Sequence, residues 1–267
     1  MTPLREQFRL LHQSGTFVLP NPWDVGSAKL LAALGFPALA TTSAGFAATL
    51  GRMDQRVSRA ELVAHVAALT EAVDVPINVD SERCFADTGA GIGETVDLLA
   101  QAGAAGLSIE DYDPARGGID ALGLAVERVA AAAEACARHG IVLTARAENH
   151  LYGVTDLDDT IARLAAYHEA GAEAVYAPGL SQPADIARVV AAVTAPLNVL
   201  SWPKGPTVPE LADLGVRRVS TGGALAFAAY GALVTAAEEL LGPGTSEFRR
   251  GSLPHDLRAR AFAAPTL

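Results

Sequence analysis

The feature that most constrains the fold is a recurring sequence motif, or phrase, that consists of an apolar helix end, a glycine and then a short apolar strand. It ends at Gly35, Gly103, Gly171 and Gly215, and the first three of these glycines are 68 residues apart. A second strand phrase lies between them, at 75–79, 140–144 and 195–199. A strand with its helix takes roughly 30 residues or more, so two units fit each interval. Glycine just beyond a helix end is the usual connection into a strand.

Counting both phrases gives eight short apolar strands, separated by helical patterns. Uninterrupted apolar strands are typical of parallel strands covered on both faces. The pattern predicts an α/β fold, a (β/α)8 TIM barrel forming one domain over residues 1–267, with an open doubly wound sheet as the alternative. An extra helix is predicted near 2–13, and 242–267, rich in Gly, Pro, Arg and Ser, is predicted to be a loose tail that wraps a neighbour or lies on the surface. The predicted strands lie near 16–20, 36–41, 76–80, 105–110, 141–146, 173–177, 196–200 and 216–220.

Composition excludes some classes of function. The formal net charge is −10 and the pI is about 5.0, which argues against nucleic acid as a partner because phosphate binding needs a basic face. The two cysteines, Cys84 and Cys136, are too few for a disulfide framework and indicate a reducing, cytoplasmic compartment. Neither a signal peptide nor an apolar run of about 18 uncharged residues is recognised, so no membrane partner is expected.

Acidic side chains follow successive predicted strands. Asp80 and Glu82 end the third strand, Glu110 ends the fourth, and Asp54 lies in a polar loop after the second. Barrels carry their catalytic groups at this end of the strands, and clustered carboxylates repel unless a cation lies among them. Hard oxygen ligands favour Mg²⁺ or Mn²⁺, with Asp80 as direct ligand and the others holding its waters. The alternative is a set of helix caps and surface salt bridges.

Other polar residues at strand ends are candidates for substrate binding. Arg146 ends the fifth strand, where burial requires an anionic partner; a carboxylate or phosphate ligand would serve, and a salt bridge to Glu148 or Glu110 is the alternative. His150 is either a general acid or a loop contact. Further candidates are Trp23, which either stacks on substrate or packs the barrel mouth, and Asn198 on the seventh strand.

Together these phrases resemble the isocitrate lyase/phosphoenolpyruvate mutase superfamily, from Asn21 to about Gly231. The resemblance implies a magnesium-bound 2-oxo acid or its enolate, formed while a C–C or P–C bond is made or broken. It also implies a substrate arginine at Arg146 and a metal-site pattern on Asp80, Glu82, Glu110 and Asp111. The backbone amides of a loop containing Thr42, Ser43 and Ala44 would bind the carboxylate. The matching phrases are Asn21-Pro22-Trp23-Asp24, Leu50-Gly51 with Asp54, Pro76-Ile77-Asn78-Val79-Asp80, Gly106-Leu107-Ser108-Ile109-Glu110-Asp111, Ala145-Arg146 and Glu169-Ala170-Gly171-Ala172.

Two departures from the family argue against a true isocitrate lyase. Members that act on isocitrate or methylisocitrate carry a Lys-Lys/Arg-Cys-Gly-His stretch after the fourth strand, where 113–118 here has neither Cys nor His. They also carry a Glu after the sixth strand, where this chain reads Tyr176-Ala177-Pro178. Cys84 lies beside the metal motif but on a different loop, and a buried, inert thiol is the preferred interpretation.

The resulting hypothesis is a Mg²⁺-dependent carbon–carbon lyase that acts on a small 2-oxo or 2-hydroxy di- or tricarboxylic acid through an enolate. The expected catalytic residues are Arg146, Asp54 and His150. The alternatives are a phosphonopyruvate-type P–C enzyme, an oxaloacetate-like hydrolase or decarboxylase, and a non-catalytic 2-oxo acid binding protein. The resemblance further implies a homo-oligomer, a tetramer or dimer, with a C-terminal helix exchanged between subunits.

Overall fold

The computed structural model describes residues 2–263, and eight parallel strands form a nearly closed barrel. The sheet order is β1-β10-β9-β8-β7-β4-β3-β2, and the amide of Ala40 donates to the carbonyl of Pro20 (3.0 Å) where β1 and β2 meet. The predicted (β/α)8 barrel and all eight of its strands are therefore confirmed. The barrel strands are β1 (Phe17–Leu19), β2 (Leu39–Ala40), β3 (Ile77–Asp80), β4 (Gly106–Glu110), β7 (Val142–Arg146), β8 (Ala174–Tyr176), β9 (Leu197–Leu200) and β10 (Arg218–Ser220).

Helices surround the barrel, and the glycines of the repeat connect them to the strands. Gly35, Gly103, Gly171 and Gly215 all have positive φ, between 87° and 107°, the conformation that ends a helix and that glycine adopts without a Cβ clash. The helices are α1 (Pro3–Leu11), α2 (Val25–Ala33), α3 (Ser43–Thr49), α4 (Arg59–Ala72), α5 (Gly89–Gln101), α6 (Leu122–His139), α7 (Leu157–Glu169), α8 (Pro183–Ala192), α9 (Val208–Asp213), α10 (Ala224–Leu241) and α11 (His255–Phe262), with a 3-10 helix at Glu247–Gly251.

Helix α1 is the extra N-terminal helix that the sequence predicts, and it closes the lower end of the barrel. Phe8 is fully buried and lies against Gly106, where an added Cβ would come within 2.3 Å of the Phe8 ring. His12 meets the rings of Phe8 and Phe17 edge to face, at centroid distances of 4.8 and 5.2 Å. The functional groups are therefore confined to the opposite end, at the carboxyl ends of the strands.

Two features differ from the sequence expectations. A short hairpin, β5 (Tyr112–Asp113) with β6 (Gly118–Ile119), follows β4 and was not predicted. The described part of the predicted loose tail is ordered: α11 packs against α2, and Ala261 is buried. The polar composition of this segment does not indicate that it packs against α2, because the only buried side chain of α11 is the small one of Ala261. Residues 264–267, the end of that segment, lie outside the described residues.

Helix α10 is apolar and exposed. Its 18 residues have a mean hydropathy of 1.4, so by length and composition the helix could cross a membrane, yet only 6 % of it is buried. The sequence analysis took this segment as a helix exchanged between subunits and recognised no membrane span, because Glu238 and Glu239 interrupt the apolar run. Phe227, Leu233 and Val234 are each more than half exposed. Among residues 2–263, no other segment of the same chain covers this face.

Candidate active site

A cavity of about 170 Å³ opens among the carboxyl ends of the barrel strands. Its wall brings together seven of the residues that the sequence singled out, although they come from five different strands or loops. The cavity does not include Trp23, Glu82, Glu110 or His150 in its wall. The predicted residues that line it are Thr42, Ser43, Ala44, Asp54, Asp80, Arg146 and Asn198.

Arg146 lies at the centre of a carboxylate cluster. Its Nε donates to Glu148 (2.6 Å), its Nη1 to Asp80 (3.0 Å), and its Nη2 lies 3.3 Å from Glu110. Burial alone lowers the pKa of Arg146, but Glu148, Asp80 and Glu110 together raise it well above its ordinary value. The chain itself therefore supplies the counter-charge that the sequence analysis sought in a ligand, and both of the alternative salt bridges are present. Binding of a substrate anion by Arg146 stays a prediction.

The acidic groups around Asp80 are electrostatically coupled. Burial, followed by the charges of Asp80 and Asp54, raises the pKa of Glu82 to about 8. Burial and Asp80 likewise raise the pKa of Asp54, whose carboxyl group reaches the cavity although the residue is exposed. Burial also raises the pKa of Glu110. Mutual repulsion of this kind is relieved by a cation.

The donor set fits Mg²⁺ or Mn²⁺ better than a metal held entirely by protein. All of the groups are carboxylate oxygens, the ligands of hard cations. No three His, Cys, Asp or Glu side chains within residues 2–263 are arranged to bind one ion directly. Mg²⁺ commonly keeps several waters and takes only one or two carboxylates, so the arrangement matches one direct ligand, Asp80, with Glu82, Glu110 and Asp54 acting through water.

Backbone strain is concentrated in the two loops beside these carboxylates. Gln55, Glu82, Cys84 and Phe85 are non-glycine residues with φ between 47° and 62°, a region that is unfavourable for L residues and often found at functional sites. In this conformation Gln55 Nε2 donates to Glu110 (2.8 Å). The Cys84 thiol is fully buried, and burial raises its pKa to about 11, which supports the inert interpretation.

The predicted carboxylate-binding loop begins helix α3. The hydroxyl of Thr42 caps this helix by accepting from the amide of Gly45 (3.2 Å). The amide of Ser43 donates to Asp80 (3.2 Å). The loop therefore lies beside the proposed metal ligand, and the amide of Ser43 would have to exchange Asp80 for a substrate carboxylate.

Trp23 and His150 lie away from the cavity. Trp23 packs beside Gly45, where an added Cβ would lie 3.1 Å from the Trp23 Cβ. His150 lies against Gly179, and the charges nearest to it are those of Asp185 and Asp156. The structure thus gives geometric support to the packing and loop-contact alternatives, and the substrate and catalytic roles stay predictions.

Asp111 and the hairpin after β4 have structural partners. Asp111 accepts from the hydroxyl of Tyr167 (2.6 Å) and from Arg163 (3.2 Å), so it does not face the acidic group. The hairpin occupies the place of the missing Cys-Gly-His stretch. It is held by ion pairs of Arg116 with Asp113 and Asp120, and of Arg83 with Asp120 (2.9 Å).

Two residues of the site, Gln55 and Arg218, were missed by sequence reasoning, whereas Glu148 was named only as a salt-bridge partner and Tyr176 only as part of a departure from the family. Tyr176 lies at the end of β8; its ring lies 5.3 Å from the Arg146 guanidinium, and burial raises its pKa to about 12. Arg218 lines the cavity and is only 3 % exposed. A charged residue between Val216 and Val219 in an apolar strand was the available signal, because alternate strand residues point into the barrel.

Comparison with known proteins gives a consistent assignment. The sequence model for the phosphoenolpyruvate phosphomutase family matches residues 8–241. The crystal structure of a putative lyase/mutase from Burkholderia cenocepacia is 48 % identical, with a TM-score of 0.93 over 98 % of this chain and 96 % of that one. An uncharacterised protein of Mycobacterium tuberculosis is 36 % identical, covering 80 % of each chain. An oxaloacetate decarboxylase of Rhodopseudomonas palustris is 30 % identical over 90 % of this chain and 83 % of its own length. The chain is therefore an enzyme of the phosphoenolpyruvate phosphomutase family, within the isocitrate lyase/phosphoenolpyruvate mutase superfamily, and its function is of the lyase or mutase type.

Proposed function

We propose that the protein is a cytoplasmic, Mg²⁺- or Mn²⁺-dependent lyase. It would cleave a carbon–carbon bond in a small 2-oxo or 2-hydroxy di- or tricarboxylic acid and release an enolate. The observation that carries this proposal is the single cavity in which Asp80, with its coupled acidic neighbours, faces Arg146 and the amides of Ser43 and Ala44. The site for the cation, at Asp80, would then lie next to the site for the substrate carboxylate, at Ser43 and Ala44. An oxo acid that chelates the metal needs both sites side by side.

The protein groups have separate roles in this scheme. Asp80 would bind the ion directly, and Glu82, Glu110 and Asp54 would hold its waters; the bound ion supplies a Lewis acid that polarises the substrate oxygen. Arg146 keeps Asp80 in place through the 3.0 Å bond and offsets its charge. Ser43 and Ala44 orient the carboxylate. Tyr176 lines the cavity, and its hydroxyl, protonated because burial raises its pKa to about 12, would return a proton to the enolate carbon.

A second candidate is decarboxylation of an oxaloacetate-like acid. Among the described residues, the cavity wall contains no Cys, His or Lys; its ionisable groups are Asp54, Asp80, Arg146, Tyr176 and Arg218. Cleavage of a 2-hydroxy acid needs a base for the hydroxyl proton and an acid for the departing enolate. Loss of CO₂ from the carboxylate β to the oxo group of an oxaloacetate-like acid needs only a polarised carbonyl, because the electrons of the breaking carbon–carbon bond pass into the enolate, which then takes up a proton. The R. palustris relative favours this candidate, and phosphonopyruvate-type P–C chemistry is the remaining alternative.

A substrate panel separates these reactions. Oxaloacetate, malate, citramalate, methylisocitrate and phosphonopyruvate should be incubated with enzyme and Mg²⁺, while pyruvate, glyoxylate, acetate, phosphate and CO₂ are followed. Pyruvate with CO₂ from oxaloacetate identifies a decarboxylase, and acetate with oxalate identifies hydrolysis. Pyruvate with acetate from citramalate, or glyoxylate with acetate from malate, both without CO₂, identifies an aldol-type lyase. The control is Asp80→Asn, which preserves side-chain size but removes the charge; activity that survives in this variant and in EDTA would refute the metal scheme.

A further inference from the structure

The floor of the cavity contains a second buried arginine. Arg218 on β10 and Arg146 on β7 both line the cavity. Arg218 lies two residues before Ser220, which also lines the wall, so both side chains point inward and Arg218 is about 6.5 Å deeper along the strand. Arg218 Nη1 lies 3.3 Å from Nε2 of His12, at the end of α1, the helix that closes the lower end of the barrel. Arg146 instead contacts Asp80 at the carboxyl ends of the strands. The two arginines therefore mark different depths of the same space.

The partners of Arg218 are neutral. Its Nε donates to Asn198 Oδ1 (2.9 Å), and its Nη1 lies 3.3 Å from His12 Nε2. His12 Nδ1 donates to the carbonyl of Phe8 (2.8 Å), which leaves Nε2 as an acceptor without a proton. Burial lowers the pKa of His12 to about 3, so this imidazole carries no charge at neutral pH.

Arg218 thus differs from Arg146, which contacts three carboxylates. In the part of the chain that the structure describes, no carboxylate lies within 4.0 Å of Arg218, and its Nη2 has no hydrogen-bond partner. Burial lowers the pKa of Arg218 to about 10; Tyr176 partly opposes this shift, and the charge of Arg146 contributes to it. A guanidinium with a pKa of 10 remains charged at neutral pH. A buried charge without a counter-ion is strongly unfavourable, so an anion entering the cavity would be attracted to it.

A second unsatisfied group lines the same space. Asn78 on β3 is 3 % exposed and lines the cavity, and its buried Oδ1 has no partner in residues 2–263. The lower part of the cavity therefore offers both a cation and a polar amide. This is a suitable environment for an oxyanion with a neighbouring hydroxyl or water.

We propose that Arg218 binds a second anionic group of the substrate at the cavity floor, so that the enzyme selects dianionic acids over monoanionic ones. This inference rests on the proposed function, because the first anionic group is taken to bind at the mouth, beside Asp80 and Ser43. Arg146 is held by protein carboxylates, whereas Arg218 lines the cavity and its Nη2 has no hydrogen-bond partner among residues 2–263. Two-ended binding also fixes the orientation of the bond that breaks.

Calorimetric titration in the presence of Mg²⁺ tests the proposal, with pyruvate as the monoanion and oxaloacetate, malate, 2-oxoglutarate and 2-oxoadipate as the dianions. In the wild-type enzyme the tightest dianion should bind at least about tenfold more tightly than pyruvate, the effect of one charged hydrogen bond. Arg218→Met should abolish that preference and change pyruvate affinity by less than about twofold. The matched control is Arg217→Met, on the outer face of the same strand, where Arg217 donates to the carbonyl of Gly15 (3.1 Å); it should leave the preference intact.

Arg218→Lys is a second variant in case Arg218→Met does not fold. One ammonium cannot keep the contacts to Asn198 and His12 and also meet the ligand, so the preference should fall by about threefold or more. The inference is overturned if the wild type binds no dianion more tightly than pyruvate, or if that preference survives either substitution. It is also overturned if the affinity for pyruvate falls as much as the affinity for the dianions. Failure of the proposed function gives a different pattern: the wild type then binds neither pyruvate nor any dianion in a Mg²⁺-dependent manner, which overturns both.

Discussion

Substituting Arg146 by lysine tests the central ion-pair cluster most directly. Arginine presents three nitrogens to three carboxylates, at 2.6 Å from Glu148, 3.0 Å from Asp80 and 3.3 Å from Glu110. Lysine keeps the charge but has one nitrogen, so at most one of these contacts is retained at full strength. Glu148 and Glu110 are almost fully buried, and water cannot readily replace the lost donors.

The magnitude follows from those contacts. A hydrogen bond to a charged group contributes about 1.5–3 kcal/mol, and breaking a buried ion pair costs about 3–5 kcal/mol. Because the positive charge remains, we expect Arg146→Lys to lower the free energy of unfolding by about 3 kcal/mol, the lower end of the range for a broken buried ion pair. For a domain of this size that corresponds to a decrease in Tm of about 6 °C or more. Binding of oxalate with Mg²⁺ should weaken by about 1.5–3 kcal/mol if Arg146 also contacts the ligand.

The assay combines thermal unfolding with calorimetric titration of oxalate in Mg²⁺. Arg163→Lys is the matched control, because Arg163 pairs with Asp159 (2.8 Å) and Asp111 (3.2 Å) away from the cavity; it should lose stability and keep oxalate affinity. Unchanged stability in Arg146→Lys would show that the cluster is not as described. A loss of stability with normal oxalate affinity would make Arg146 a purely structural ion pair and remove it from the substrate site.

Three further predictions concern the metal, the assembly and pH. Asp80→Ala should abolish cooperative binding of Mg²⁺ and oxalate, and calorimetry that detects wild-type binding in this variant would exclude Asp80 as the direct ligand. The exposed apolar face of α10 should be covered by a second copy of the chain, so light scattering at micromolar concentration should give a dimer or tetramer; a monomer would contradict this, and Leu233→Glu should dissociate the assembly. Burial lowers the pKa of His65 from 6.5 to about 4, so between those values the unfolded chain binds the extra proton and stability falls with acidification, by up to about 1.4 kcal/mol per pH unit. His65→Phe keeps the stack on Phe46 (3.8 Å) and should flatten the denaturation profile there, and an unchanged profile would assign the pH dependence to other groups.

The barrel could be predicted from sequence because its signals are local. Apolar strands, helical spacing and the glycines after helix ends each depend on a few neighbouring residues, and Gly35, Gly103, Gly171 and Gly215 all adopt the positive φ that this position requires. Residues at strand ends were also predictable, since parallel strands in a barrel bring their carboxyl ends to one face. This rule placed Asp54, Asp80 and Arg146 at one face of the barrel, and all three line one cavity there. The hairpin after β4 escaped detection because its two strands are only two residues long.

Only the tertiary structure decided which of these groups meet. Arg146 and Asp80 are 66 residues apart in sequence, and no local pattern indicates that protein carboxylates rather than a ligand neutralise the arginine. His150 and Trp23 lie in loops, whose directions depend on packing against Gly179 and Gly45. Arg218 was overlooked because it lies in the middle of the predicted strand 216–220 and not at its carboxyl end, and only closure of the barrel shows that it lines the cavity without a carboxylate beside it, as far as residues 2–263 are concerned. Local propensity determines where strands and helices form, whereas the charge balance of a buried site depends on contacts between distant segments.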